Sequence, residues 1–353
     1  MNITFLIGNG FDINLGLKTR YTDFLKEYRV EKPEDSEVIQ WFKKQVLSDE
    51  KLWADAEIAL GQCTKAFKFF SYNGEDLCEC HEDFCNQLAE YLEKEEQKLE
   101  ELDLGPVLAV DFKEAISNCF GGFRENQRGQ INDALMKANG GYCYNFVSFN
   151  YTRTLDAFVE AFMKAKSLLG TRRYGNTTYE NSVGKLLHVH GYTDRDMIFG
   201  VNDESQISDA GIFDGYGDEY MGQIIKQSSN EMYGQNMDSK VYGLLQKSDI
   251  IYIYGMSIGL TDKLWWRRIC TIMKENPQMQ LIIHAYDAPQ GERLYRKFIT
   301  YSKELRANFT GFGELSAEER DEIATRIHVD RTNIFKPLEK MVGEEDGVSG
   351  AIN

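Results

Sequence analysis

The residues best able to do chemistry stand where apolar runs end. Ile3-Thr4-Phe5-Leu6-Ile7 stops at Gly8-Asn9-Gly10-Phe11-Asp12, and Cys143 to Phe149 stops at Asn150-Tyr151-Thr152. A third run reaches His188-Val189-His190-Gly191, and a fourth ends at Gly255-Met256-Ser257-Ile258-Gly259-Leu260-Thr261-Asp262. Two glycines one residue apart let a backbone turn sharply and approach a ligand without Cβ interference. Free N–H groups at a following helix start favour a pyrophosphate. Gly8, Asn9, Gly10, Phe11 and Asp12 are therefore the first candidates for holding a dinucleotide, and Gly255, Ser257 and Asp262 the second. The G-x-G-x-x-G fingerprint of dinucleotide sites is incomplete, because the next glycine, Gly16, lies six residues after Gly10. A tight strand-to-loop turn with no ligand is the competing reading.

Strands and helices must position these residues. Short apolar runs bounded by Gly or polar turns read as buried strands near 3–7, 143–149, 186–190, 197–201, 249–254 and 280–286. Tyr21, Phe24, Leu25 and Tyr28 have helical spacing, with Thr22-Asp23 as the expected N-cap. Helical periodicity continues near 35–47, 51–68 and 82–103, and later near 154–168, 239–247, 262–274 and 291–306. Ser316 to Glu319 has the spacing of a capping box. Strands alternating with helices predict a Rossmann-like, mostly parallel sheet with right-handed crossovers. The expected organisation is one α/β domain over residues 1–343 with a helical insertion at about 30–140 and a loose tail at 344–353.

Composition narrows the partners. The chain has 353 residues, 42% of them hydrophobic, with 40 Lys+Arg against 56 Asp+Glu and a net charge of -16. Such an acidic surface disfavours duplex DNA, whose binding needs clustered cations. A pocket can still hold a small anion with local dipoles and one or two basic side chains. Met1 to Ile7 is too short and uncharged to be a signal peptide, and Ile250 to Leu260 is too short to cross a membrane, so a cytoplasmic location is expected. Seven cysteines at irregular spacing fit reduced thiols.

Two groups could be metal ligands. Cys78, Cys80, His81 and Cys85 form C-x-C-H-x3-C with no second pair, and a helix start with buried thiols is preferred. His188 and His190 fall on one face of a strand, but no cysteine or paired carboxylate motif accompanies them, and a hydrogen-bonded buried His188 is preferred. No metal is expected. Trp53, Asp55 and Glu57 read as packing a helix on the sheet, with Glu57 able to point into a pocket, and Trp265 and Trp266 as core or interface aromatics.

Taken together, the four run ends resemble the NAD-binding core of sirtuin-like proteins. In more detail, Leu6 to Asp12, Gly16-Leu17-Lys18-Thr19, Trp53-x-Asp55-x-Glu57, Phe149 to Thr152, His190-Gly191 and Tyr254-Gly255-x-Ser257 resemble the AbiH family of bacterial phage abortive-infection proteins, from Ile3 to Trp266. The resemblance implies a sirtuin-like sheet, NAD as substrate or ligand, and a role in phage defence. It places Asn150 and His190 at the nicotinamide ribose as the catalytic pair. Cleaving a bond to a pyridinium needs no strong acid, only a base and a water. A His near neutral pKa can take the proton, and an Asn amide can hold the water or a ribose oxygen.

The sirtuin pattern is departed from twice. Two C-x-x-C zinc pairs are missing, and Thr152 stands where an acidic residue is usual, with Asp156 one helical turn on as a replacement or a solvated helix residue. Protein deacetylation is therefore not expected. The expected activity is hydrolysis of NAD at the nicotinamide glycosidic bond. The alternatives are a module that senses NAD or ADP-ribose and signals to a defence partner, and an effector acting on nucleic acid. The residues name neither the phage trigger nor the oligomeric state, and a homo-oligomer stays open.

Overall fold

A computed structural model describes residues 1–28, 32–49, 51–102, 104–123, 125–234, 236–290 and 295–339. The strands are β1 (Asn2–Ile7), β2 (Cys143–Ser148), β3 (Thr171–Tyr174), β4 (Thr177–Glu180), β5 (Ser182–His188), β6 (Ile250–Tyr254), β7 (Gln280–His284) and β8 (Ile327–Asp330). Six of them form a parallel sheet in the order β5-β2-β1-β6-β7-β8, while β3 and β4 make a separate antiparallel hairpin. The chain builds outward from β1 through β2 to β5, returns to lay β6 on the other side of β1, and builds outward again. The turning point between β1 and β6 is where open α/β sheets bind ligands.

The sheet core follows from alternation. Ile3, Phe5 and Ile7 join one buried cluster with Tyr144, Phe146 and Phe158, whereas Leu6 joins the opposite one with Val147, Ile251 and Ile253. Both faces are covered, which explains why β1 and β6 read as continuous apolar runs rather than alternating ones.

The helices are α1 (Gly10–Leu15), α2 (Tyr21–Tyr28), α3 (Glu37–Ser48), α4 (Ala56–Phe69), α5 (Gly74–Glu100), α6 (Gly105–Ser117) and α7 (Glu125–Met136) before β2. Beyond it come α8 (Thr154–Lys164), α9 (Asp218–Gln223), α10 (Lys226–Met232), α11 (Met237–Leu245), α12 (Lys263–Glu275), α13 (Tyr295–Gly311) and α14 (Ala317–Thr325). Among the described residues no strand lies between β1 and β2. Helices α2 to α5 share a second cluster around Phe24, Phe42, Trp53, Phe67 and Phe84, which also takes in Tyr151, Phe199 and Val201 from later in the chain, but α6 returns to the sheet through Leu108, Phe112 and Ile116.

Several expectations are corrected. The run at 197–201 is not a strand of the sheet: Phe199 and Val201 are buried against α4 and α5, with Phe84 and Phe199 stacked at 4.9 Å, and only a single bridge joins Val201 to Ile225. Its apolarity reported burial and not the partner. The strand near 186–190 ends at His188, so His190 lies beyond it. Thr22 and Asp23 sit inside the first turn of α2 and do not cap it. The helix expected over 51–68 divides into a 3-10 turn, Leu52–Asp55, and α4, because the Asp55 carboxylate caps α4 from outside. Strand β8 and the exposed hairpin were not anticipated. The capping box at Ser316 and Glu319 is formed. The tail at 344–353 and residues 291–294 of the expected helix lie outside the described residues.

Candidate active site at the sheet's turning point

The glycine turns are built for each other. Gly8 N–H donates to Tyr254 O (2.9 Å), Gly10 N–H to Gly255 O (2.8 Å) and Phe11 N–H to Gly8 O (2.9 Å). A Cβ on Gly10 would lie 2.6 Å from Gly255 Cα, and Gly255 itself has φ +69 with Phe11 N 2.7 Å from where its Cβ would be. The close approach that demands glycine is therefore between two backbones. This corrects the expectation of free amides at Gly8, Gly10 and Phe11. The Phe11 ring is a core group, edge-on to Phe158 (5.3 Å) and Phe335 (4.9 Å), and does not face a ligand.

Two cavities flank this crossing. The smaller, about 250 Å³, lies over the ends of β1, β2 and β5. The larger, about 830 Å³, lies over the ends of β6 and β7 against α13. Asn9, Gly255, Met256 and Ser257 line both. The Asn9 amide is fixed by Thr19, donating to its carbonyl oxygen (2.8 Å) and accepting from its hydroxyl.

The smaller cavity gathers most of the expected residues. Asn150 follows β2, its N–H donating to Ser148 Oγ (3.2 Å) and its Nδ2 to Gly8 O (3.3 Å). Its Oδ1 is buried with no partner among the described residues. His190 packs beside Phe149 (5.7 Å) and Tyr151 (6.2 Å) and lines the same cavity. Burial holds its pKa well below the usual imidazole value, helped by the nearby charges of Lys226 and His188, so the ring is neutral at physiological pH.

Asp12, from α1, is fully buried; it accepts hydrogen bonds from the hydroxyls of Thr152 (2.6 Å) and Thr154. Burial pushes its pKa up to about 6 against the pull of those bonds. Thr152 thus serves a carboxylate supplied from another element. Asp156 does not replace it: its Oδ2 pairs with His188 Nε2 at 2.8 Å, while His188 Nδ1 faces the Asn150 carbonyl at 3.1 Å. His188 is a satisfied buried residue that shares no metal site with His190. Among the described residues no group of three or more His, Cys, Asp or Glu side chains could hold a metal ion.

The helical block supplies the opposite wall. Glu57, in the first turn of α4, bonds Lys226 Nζ (2.5 Å) and accepts from Tyr151 (3.3 Å) and Tyr21 (3.4 Å). Burial pushes its pKa up to about 7 despite Lys226. Asp55 caps α4 and accepts from the Thr261 hydroxyl (2.6 Å). Asp262 lines the cavity, its pKa raised by burial, and makes no hydrogen bond among the described residues. Trp53, Trp265 and Trp266 are core residues.

Lys226 was missed from sequence. It heads α10 because Val201 and Ile224 to Lys226 exchange backbone hydrogen bonds of 2.8 Å, a pairing with no local signature. Cys78, Cys80, His81 and Cys85 all fall in the early turns of α5. His81 bonds Phe199 O (2.8 Å), and burial pushes the Cys78 thiol up to about 11 and those of Cys80 and Cys85 higher still. Burial at this helix interface holds these thiols in the protonated form at neutral pH.

A doubly covered parallel sheet in this order, with a polar crevice at its turning point, defines a Rossmann-like α/β protein. The model of the family described as bacteriophage abortive infection AbiH matches residues 4–284, and the chain belongs to that family. Membership supports a role in abortive-infection defence against phage. No curated protein and no solved structure matches the chain. Among the described residues no helix is long and apolar enough to cross a membrane.

Proposed function

We propose that this protein defends against phage by hydrolysing NAD at the nicotinamide glycosidic bond, on a sirtuin-like core. The nicotinamide riboside half would occupy the smaller cavity and the adenosine half the larger, with the diphosphate passing Asn9 and Ser257. The observation that carries this reading is the meeting of Asn150 and His190, from two different strand ends, in one cavity that opens beside a second. Ligand cavities of roughly 300–1,000 Å³ are usual, and the smaller cavity, at about 250 Å³, is short of that range without its neighbour.

In the reaction the C1′–N bond breaks, nicotinamide leaves with the bonding pair, and water adds to the oxocarbenium-like C1′ to give ADP-ribose and a proton. Neutral His190 takes the proton from the water or from a ribose hydroxyl. Asn150 orients the water or a ribose oxygen through its unpartnered Oδ1. The low basicity of buried His190 favours a second reading, in which NAD or ADP-ribose is bound without cleavage and the occupied state signals to a partner.

Free nicotinamide released from NAD by the purified protein, and cellular NAD followed through infection, separate the two. Hydrolysis predicts release that Asn150→Ala and His190→Asn each reduce about 10²- to 10⁴-fold, with the double variant no worse than the poorer single one. Both side chains are more than nine-tenths buried, so thermal unfolding of each variant must accompany the assay. Phage protection with constant cellular NAD would refute hydrolysis and support the sensor.

A further inference from the structure

The smaller cavity is an acidic box. Asp12, Asp55, Glu57 and Asp262 line it, and Lys226 is the single Lys or Arg among its lining residues. Lys226 is committed to Glu57. Asp55 is engaged by Thr261 and by the start of α4, and Asp12 by two threonine hydroxyls. Asp262 is bonded to nothing among the described residues, yet it faces Lys226 and Asp55 within the cavity wall. A phosphate placed here would meet mostly carboxylates.

A second, independent feature points to a ligand. Asn150, 6% exposed, lines the same cavity and leaves its Oδ1 without a donor. Leaving a buried carbonyl oxygen unpaired costs free energy that a ligand N–H or O–H would recover. The wall therefore asks for a small ligand that carries positive charge and at least one hydrogen-bond donor.

We infer that the smaller cavity selects a cationic aromatic group bearing an amide, a pyridinium carboxamide, through the charge of Asp262 and Asp55 and the acceptor of Asn150. The inference rests on the proposed NAD reading and deepens it. The two carboxylates, Asp55 brought by the helical block and Asp262 by the turn after β6, distinguish the oxidised, charged ring from any neutral ring of the same shape. Charges at such short range in a partly dehydrated pocket interact far more strongly than in water.

The test uses two dinucleotides that the protein cannot hydrolyse: carba-NAD, a pyridinium on a carbocyclic ribose, and benzamide adenine dinucleotide, a neutral ring on an ordinary ribose; comparing wild type with Asp262→Asn separates the ring charge from the ribose difference. Wild-type full chain should bind carba-NAD at least about tenfold more tightly, a difference of about 1.4 kcal/mol. Asp262→Asn, whose replaced carboxylate makes no hydrogen bond among the described residues, should bring the ratio toward one, and Asp55→Asn, which keeps an acceptor for Thr261 and the start of α4, provides the second variant. Equal affinities in the wild type would overturn the inference and leave NAD binding intact. If neither dinucleotide binds, the NAD reading fails, and the inference is decided by saturation-transfer NMR with 1-methylnicotinamide and nicotinamide. Signal from the cation alone, lost in Asp262→Asn, upholds charge selection; equal signals or none overturn it.

Discussion

The two cavities share a wall and differ in almost everything else. The smaller holds four carboxylates and one lysine, whereas the larger has Arg20 and Asp287 as its charged residues and is walled by Tyr254, His284, Tyr286, Tyr301 and Leu305. His284 stacks on Tyr254 at 4.6 Å and is held neutral by burial, its pKa pushed down to about 4. A polar, charged compartment beside a broad aromatic one gives the crevice a direction. A ligand with a charged end and a flat end would meet a different compartment in each orientation. The difference also has a cost, since desolvated carboxylates are unstable and aromatic walls are not.

The largest effect should come from removing one of those carboxylates. The fold raises Asp12 from an ordinary 3.8 to about 6, so the folded state binds the proton more tightly than the unfolded state does. Unfolding free energy then falls as pH rises through that window and levels off above it. Asp12→Asn should remove this loss and stabilise the protein at neutral pH by up to about 3 kcal/mol. Urea unfolding at several pH values checks it. The decline that persists toward pH 7 belongs to Glu57 and Glu96, both pushed up to about 7. A variant no more stable than wild type at pH 7 would show that the acidic cavity stores no such strain.

The shared wall comes next. As a control away from both cavities, Gly243 in α11 has open space around a built Cβ, and Gly243→Ala should stabilise by about 0.5–1 kcal/mol, the usual gain when a helical glycine is replaced. Gly10→Ala should act with the opposite sign, destabilising by about 2 kcal/mol, because its Cβ would meet Gly255 backbone. Both cavities should lose ligand together. A stable Gly10→Ala protein with unchanged affinity would separate the crossing from the site.

The smallest effect belongs to the aromatic side. Tyr286 is 81% exposed at the rim of the larger cavity. Tyr286→Ala should leave the melting temperature unchanged, weaken NAD binding roughly 2- to 10-fold by calorimetry, and leave nicotinamide binding alone. A loss shared by both ligands would break the division of labour between the cavities.

The positions of the strand ends were legible because period and turn chemistry are local. Asn150, Gly255 and the neighbourhood of His190 were located from four to eight residues of context each. The preference for a hydrogen-bonded His188 was legible too, since a buried imidazole needs partners. The identity of those partners was not. Asp156 reaches His188 across 32 positions, Thr154 reaches Asp12 across 142, and Lys226 reaches Glu57 across 169. Sequence spacing carries no record of such meetings.

What the sequence alone determined is the set of elements and the polar residues that cap them: a strand breaking at Gly8, another at Asn150, a third near His190 and a fourth at Gly255. Only the tertiary structure decided that β6 returns beside β1, which sets two glycine turns so close that their Cβ atoms are excluded and turns an expected phosphate cradle into a wall. It also decided that α4 and α10 meet over the sheet, placing Glu57 and Lys226 in one cavity. Burial there, and not the residue types, fixes whether Asp12, Glu57 and His190 carry charge, because desolvation depends on what surrounds a group and not on what precedes it in the chain.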